Sequence, residues 1–202
     1  MAIVAVAGLG SPLFSYLAVY GESVFGVEGL RLGMLFGAAG VGSVLFTPLL
    51  LSVAPRLSRS VLLSAAMLFY GTSVAAMGVA PTFAAAVLVL VCFGGAYLSI
   101  ASTINTTIQL VVREDLRGVV IAIYLMCLTG ALPVGIFVWG AAAERVGIRP
   151  TTVAAGVLLV AVTVVFVLTG RFSMMAAADT ARDAAGSPQA PPQGRVRREL
   201  SD

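Results

Sequence analysis

Residues 83–111 read FAAAVLVLVCFGGAYLSIASTINTTIQLV and contain no charged side chain. Polar and apolar positions do not alternate along the run, so a strand of a membrane barrel is not supported. Coiled as a helix from Thr82 to Val112, the segment measures about 46 Å at 1.5 Å per residue. That exceeds the ~30 Å hydrocarbon core of a bilayer. The helix must therefore tilt or protrude, with its last turns in the interface.

Five further apolar runs flank this one, at 2–20, 32–53, 60–80, 118–142 and 151–170. Each reaches or nearly reaches the ~20 residues needed to cross the membrane. The whole chain has 202 residues, of which 59% are hydrophobic and 10% charged, against about 25% charged in a soluble domain. Its mean hydropathy is +1.04. Such a composition cannot clothe a water-facing surface. It specifies an all-α integral membrane protein: a bundle of six transmembrane helices over residues 1–170, then a tail at 171–202. The tail is rich in Ala, Pro, Gly, Gln and Arg and reads as disordered and cytoplasmic. Residues 1–20 lack a basic leading segment, and Pro12, Tyr16 and Tyr20 interrupt them. They read as an uncleaved first span rather than a signal peptide.

The punctuation between runs agrees with helix ends. Ser58 or Ser60 is placed to cap the third helix, Pro81 and Thr82 to open the fourth, Asp115 to cap the fifth, and Pro150 with Thr151 to open the sixth. Six crossings put both termini on one side. That side collects Arg56, Arg59, Arg113, Arg117, Arg171 and Arg182 near helix ends, and the other collects Arg31, Arg145 and Arg149. The imbalance places both termini in the cytoplasm. All twelve basic residues are arginine, which with the Ala, Val and Gly content suggests a GC-rich, bacterial genome and hence an inner-membrane location.

Small residues four apart occur at Gly33/Gly37, Ala38/Gly42, Gly71/Ala75 and Ala131/Gly135. They predict close helix–helix approach. Pro12, Pro48 and Pro133 fall inside spans and can kink them.

Several chemistries lack their residues. There is no histidine, no GxSxG, no intramembrane aspartate pair and no CxxC; Cys92 and Cys127 read as small apolar side chains. No cofactor, metal site or catalytic residue is expected, and the net charge of +3 is explained by loop placement rather than nucleic-acid binding. The one concentrated polar feature is in the fourth helix. Ser102, Asn105, Thr106 and Gln109 stand at i, i+3, i+4 and i+7 and share a face, with Arg113 continuing the line. Phe93 and Tyr97 lie on a neighbouring strip nearer the membrane centre. Unpaired amides do not face lipid. This face meets another helix, a missing partner or water. Alternatively, Ser102 and Thr106 bond their own backbone and Asn105 bridges to the fifth helix.

The stretch Asn105-Thr-Thr-Ile-Gln-Leu110, then Arg113-Glu-Asp-Leu-Arg-Gly118, then an apolar helix with Gly130, Pro133 and Gly135 resembles the major facilitator superfamily. The nearest branch is the bacterial enterobactin-exporter-like and macrolide-efflux-like group, in which a similar stretch joins the tenth and eleventh helices. Pro55-Arg-Leu-Ser-Arg59 is similar to the exit of the eighth helix, and Glu144-Arg-Val-Gly-Ile-Arg-Pro150 to the turn between the last two. The resemblance implies the C-terminal half of a twelve-helix fold, itself a three-plus-three inverted repeat. It implies efflux of a small molecule by alternating access, coupled to protons, with a missing N-terminal six-helix half or second subunit as partner besides the lipid bilayer. It also implies that Phe93, Tyr97, Ser102, Asn105, Thr106 and Gln109 belong to a substrate pathway. Arg113, Asp115, Arg117 and Pro133 would form a conformational gate, although the arginines could equally serve only to set topology. The competing expectation is a non-transporting membrane protein, an assembly partner or inactive remnant.

Overall fold

The computed structural model describes residues 8, 13, 16–54, 56–112 and 114–169. The first span expected at 2–20 and the tail at 171–202 lie largely or wholly outside the described residues. Helix α1 is described over Leu17–Val19 and passes into a π-helical turn, Tyr20–Val24. Then follow α2 (Gly29–Val53), α3 (Arg59–Val79), α4 (Phe83–Val111), α5 (Glu114–Val146) and α6 (Ile148–Leu168). Helices α2 to α6 are all long and apolar enough to cross a membrane, and the described residues contain no strand.

Local chemistry sets the helix ends. Ser58 caps α3 by accepting from the Val61 N–H, and Thr82 caps α4 by accepting from the Ala85 N–H. Helix α5 extends beyond the apolar stretch 118–142 at both ends. It starts at Glu114, so Asp115 sits inside the first turn instead of capping it. Carboxylates there face the positive end of the helix dipole, and Arg145 complements the other end. Helix α6 likewise starts before Pro150. Gly147, at φ +92°, makes the turn that only glycine adopts easily, and Ile148 follows as the first helical residue. Pro150 then falls in the first turn, where its missing N–H is not needed.

Two tight crossings organise the bundle. Helices α2 and α4 meet at Gly42 and Gly94; a methyl group on Gly42 would overlap the Val91 carbonyl, and one on Gly94 the Ala39 carbonyl. Ser43 Oγ spans this crossing, lying 3.1 Å from the Ala39 carbonyl and 3.0 Å from that of Gly94. Helices α3 and α6 meet where Gly71 and Gly78 face Val160 and Val153, and Gly156 faces the backbone of Ala75. Dispersion between closely apposed backbones holds such pairs in lipid, where no hydrophobic drive exists between helices. Gly33 and Gly37 have the same spacing but nothing within 4 Å.

Helix α3 is the most enclosed. Leu63, Met67, Tyr70, Val74 and Met77 form its buried stripe, between α4 and α6. The Tyr70 ring stacks on Phe93 of α4 at 4.7 Å. Helix α5 is the least enclosed, Gly135 being its one buried residue. It is joined to the first segment by two hydrogen bonds. Tyr16 Oη donates to the Ile136 carbonyl at 2.8 Å, and Trp139 Nε1 donates to the Gly8 carbonyl at 3.0 Å. Gly140 leaves room for the Tyr16 hydroxyl, which would lie 2.7 Å from a methyl group there.

The pairings form a pattern. Exchanging α1, α2, α3 with α4, α5, α6 maps the α2–α4 pair onto the α5–α1 pair and the α3–α6 pair onto itself. Three spans separate the two sets, so equivalent helices run in opposite directions. This is the contact pattern of a three-plus-three inverted repeat.

Candidate substrate pathway

Helices α2 and α4 are separated by one spanning helix, so they run parallel. Having crossed at Gly42 and Gly94, they leave a gap on either side of the crossing. The gap toward the start of the helices holds about 670 Å³ and is lined by apolar groups, among them Met34, Val41, Phe83 and Val87. The gap toward their ends holds about 560 Å³. Thr47, Leu50 and Leu51 of α2 face Leu98, Ser102 and Thr106 of α4 across it. Arg59 and Leu62 of α3 border it from a third side.

The polar face of α4 is thereby divided. Half-buried Ser102 and exposed Thr106 line the gap, whereas Asn105 and Gln109 are exposed outside it. The two amides contact each other, Gln109 Nε2 donating to Asn105 Oδ1 at 3.5 Å. On the next strip Ser99, Thr103 and Thr107 each donate to the carbonyl four residues earlier. Ser102 and Thr106 make no such bond among the described residues. Their hydroxyl hydrogens are therefore not consumed by the helix backbone.

The aromatic residues separate in the same way. Phe93 is 1% exposed and stands in the core against Tyr70. Tyr97 is 37% exposed, with its ring 6.3 Å from that of Tyr70.

The expected gate residues are spread over α5 and the turn before it. Arg113 lies outside the described residues. Asp115 is exposed in the first turn of α5. Arg117 is half-buried, and its Nε has no hydrogen-bond partner among the described residues. Pro133 is exposed inside α5, two residues from the buried Gly135. The structure does not bring Asp115 and Pro133 together; they are 18 positions apart on one helix, or about 27 Å.

Three contributors were not singled out from sequence: Thr47, Arg59 and Tyr70. Thr47 and Arg59 reach the gap from α2 and α3, and only the crossing geometry places them there. Among the described residues no three His, Cys, Asp or Glu side chains gather where a metal ion could be held.

Among families of known proteins, the chain matches the model MFS_3, described as "Transmembrane secretion effector", over residues 4–194. No curated protein matches it.

Proposed function

The chain belongs to the transmembrane secretion effector family of the major facilitator superfamily, and from that premise we propose that it is the C-terminal six-helix half of a secondary-active efflux transporter. The observation that carries this reading is the exposed pair Asn105 and Gln109 on a membrane-spanning helix. Asn105 and Gln109 lie in the last two turns of α4, where amides meet interfacial water or a second protein surface rather than hydrocarbon. The uncovered state of α5 supports the same reading, because a helix with one buried residue has a face ready to meet another half.

In this account a small molecule moves along the α4 face between this half and a complementary one. The halves rock about the site in alternating access, driven by a proton gradient. Asn105 and Gln109 supply the polar contacts, Tyr97 lies on the same helix nearer the centre, and Phe93 supports it from the core. Ser102 and Thr106 turn into the neighbouring gap. Asp115 and Arg117 at the start of α5, with Arg113 next to them in sequence, carry charges whose pairing at the cytoplasmic end favours one conformation, and Pro133 lets α5 bend. Both termini are cytoplasmic, in a bacterial inner membrane.

Replacing Asn105 and Gln109 together with leucine tests the assignment. Each lost amide contact is worth about 0.5–1.5 kcal/mol, so initial efflux by the reassembled transporter should fall roughly tenfold. Asn105→Gln should retain most of it. Unchanged efflux in the double variant would sink the assignment and favour a non-transporting role.

A further inference from the structure

The gap at the ends of α2 and α4 has layers. Arg59 is the first residue of α3 and stands at the end of the bundle. Thr106, Ser102 and Leu98 line one wall and lie successively further from Val111, the last residue of α4. At 1.5 Å per residue these positions are about 8, 14 and 20 Å from the helix end. Along α4 a ligand passing inward meets Thr106, Ser102 and then Leu98, with Arg59, Leu50 and Leu62 on the other walls. The Thr47 and Thr103 hydroxyls also border the gap but donate to the Ser43 and Ser99 carbonyls. Ser102 and Thr106 are thus the donors left to a ligand.

A cation at the end of the bundle, two hydroxyl donors and apolar walls in one gap complement the phosphate, ester carbonyls and acyl chain of a phospholipid. We propose that this gap holds one anionic phospholipid from the leaflet at the arginine-rich end of the bundle. Its phosphate lies against Arg59, whose planar guanidinium suits a phosphate. Its ester carbonyls accept from Ser102 and Thr106. One acyl chain starts between Leu50, Leu62 and Leu98 and continues into the bilayer. The exposed Leu51 in its lining leaves the gap accessible from the membrane. The lipid fills the space between two parallel helices and holds them apart below the Gly42–Gly94 crossing. The apolar gap on the far side of the crossing has no basic residue in its lining and does not select this class. The inference requires only that the chain spans a membrane; it does not rest on the exporter reading.

The test is native mass spectrometry of the full chain, purified from vesicles of equal phosphatidylglycerol and phosphatidylcholine. One phosphatidylglycerol should stay bound in preference to phosphatidylcholine. Arg59→Gln should lower its retention at least about tenfold, the loss of one charge-assisted contact. Leu62→Trp, which fills the gap and keeps Arg59, should lower it similarly, with helicity unchanged by circular dichroism. Should Arg59→Gln fail to fold, Leu62→Trp decides. Ser102→Ala with Thr106→Val should weaken ester-linked more than ether-linked phosphatidylglycerol; equal weakening would remove the hydroxyls from the site. Equal retention of the two headgroups, or wild-type retention in the folded variants, would overturn the proposal. So would displacement of the lipid by inorganic phosphate at constant ionic strength, which would mark a free-anion site.

Discussion

Replacing Gly94 with leucine is expected to cost about 3 kcal/mol or more of folding free energy, at or above the upper end of ordinary overpacking. The obstacle is the Ala39 carbonyl, which a methyl on Gly94 would already overlap. A side chain could rotate away, but a backbone carbonyl cannot move without its helix. The same displacement would separate Ser43 Oγ from the Gly94 carbonyl, now 3.0 Å away. It would also lift Gly42 from the Val91 backbone. Gly37→Leu is the matched control, because nothing lies within 4 Å of a Cβ there. In a denaturing-detergent titration, Gly94→Leu should lower the folded-to-unfolded ratio more than about a hundredfold, and Gly37→Leu should shift stability by about 0.5 kcal/mol or less. Equal behaviour of the two would mean that the α2–α4 crossing is not the close contact described.

Residues 1–202 reconstituted alone are expected to export nothing. The pathway proposed here has one wall, built from α4, and a wall without an opposite side neither encloses a substrate nor excludes water. Helix α5 likewise stands mostly uncovered, its single buried residue being Gly135. Alternating access needs two bodies that rock against each other, and this chain supplies one. Proteoliposomes loaded with a fluorescent amphiphile and given a proton gradient provide the measurement. Efflux should stay at the protein-free rate for the chain alone and rise at least about tenfold when a complementary six-helix half is co-reconstituted. Gradient-dependent export by the chain alone, at a rate set by one monomer, would remove the need for a second half.

Much of the architecture is legible in the sequence, because lipid imposes a simple rule: a charge-free apolar run of sufficient length spans the membrane as a helix. Residues 83–111 coincide with α4. Helix α5 shows where the rule stops. Apolarity measures the part in lipid, whereas the helix runs on through Glu114, Asp115 and Arg145, whose charges suit its termini. Small-residue spacing identifies surfaces that permit close approach but not the ones that achieve it. Gly71/Ala75 and Ala38/Gly42 lie in crossings, while Gly33/Gly37, equally well spaced, remain open. Nor does spacing name the partner: that Gly42 meets Gly94, and Gly71 meets α6 near Gly156, depends on tertiary packing.

The candidate site was partly legible for a related reason. Positions i, i+3, i+4 and i+7 share a helical face, yet that face is about 100° wide. A divergence between α2 and α4 is enough to split it, sending Ser102 and Thr106 into a gap and leaving Asn105 and Gln109 at the surface. Phe93 and Tyr97 are divided in the same manner by the position of Tyr70. Arg59 reads in sequence as a topology-setting charge, and only the position of α3 brings it to the gap.

The most direct measurement of the pathway assignment is thiol labelling of Asn105→Cys and Gln109→Cys in a Cys92→Ala, Cys127→Ala background, using a small membrane-impermeant reagent from the cytoplasmic side. The wall of a water-filled pathway predicts that both positions react in the reassembled transporter, and that substrate slows the reaction. Protection of both positions in every condition, with and without the complementary half, would place this face in packed protein or lipid and contradict the account.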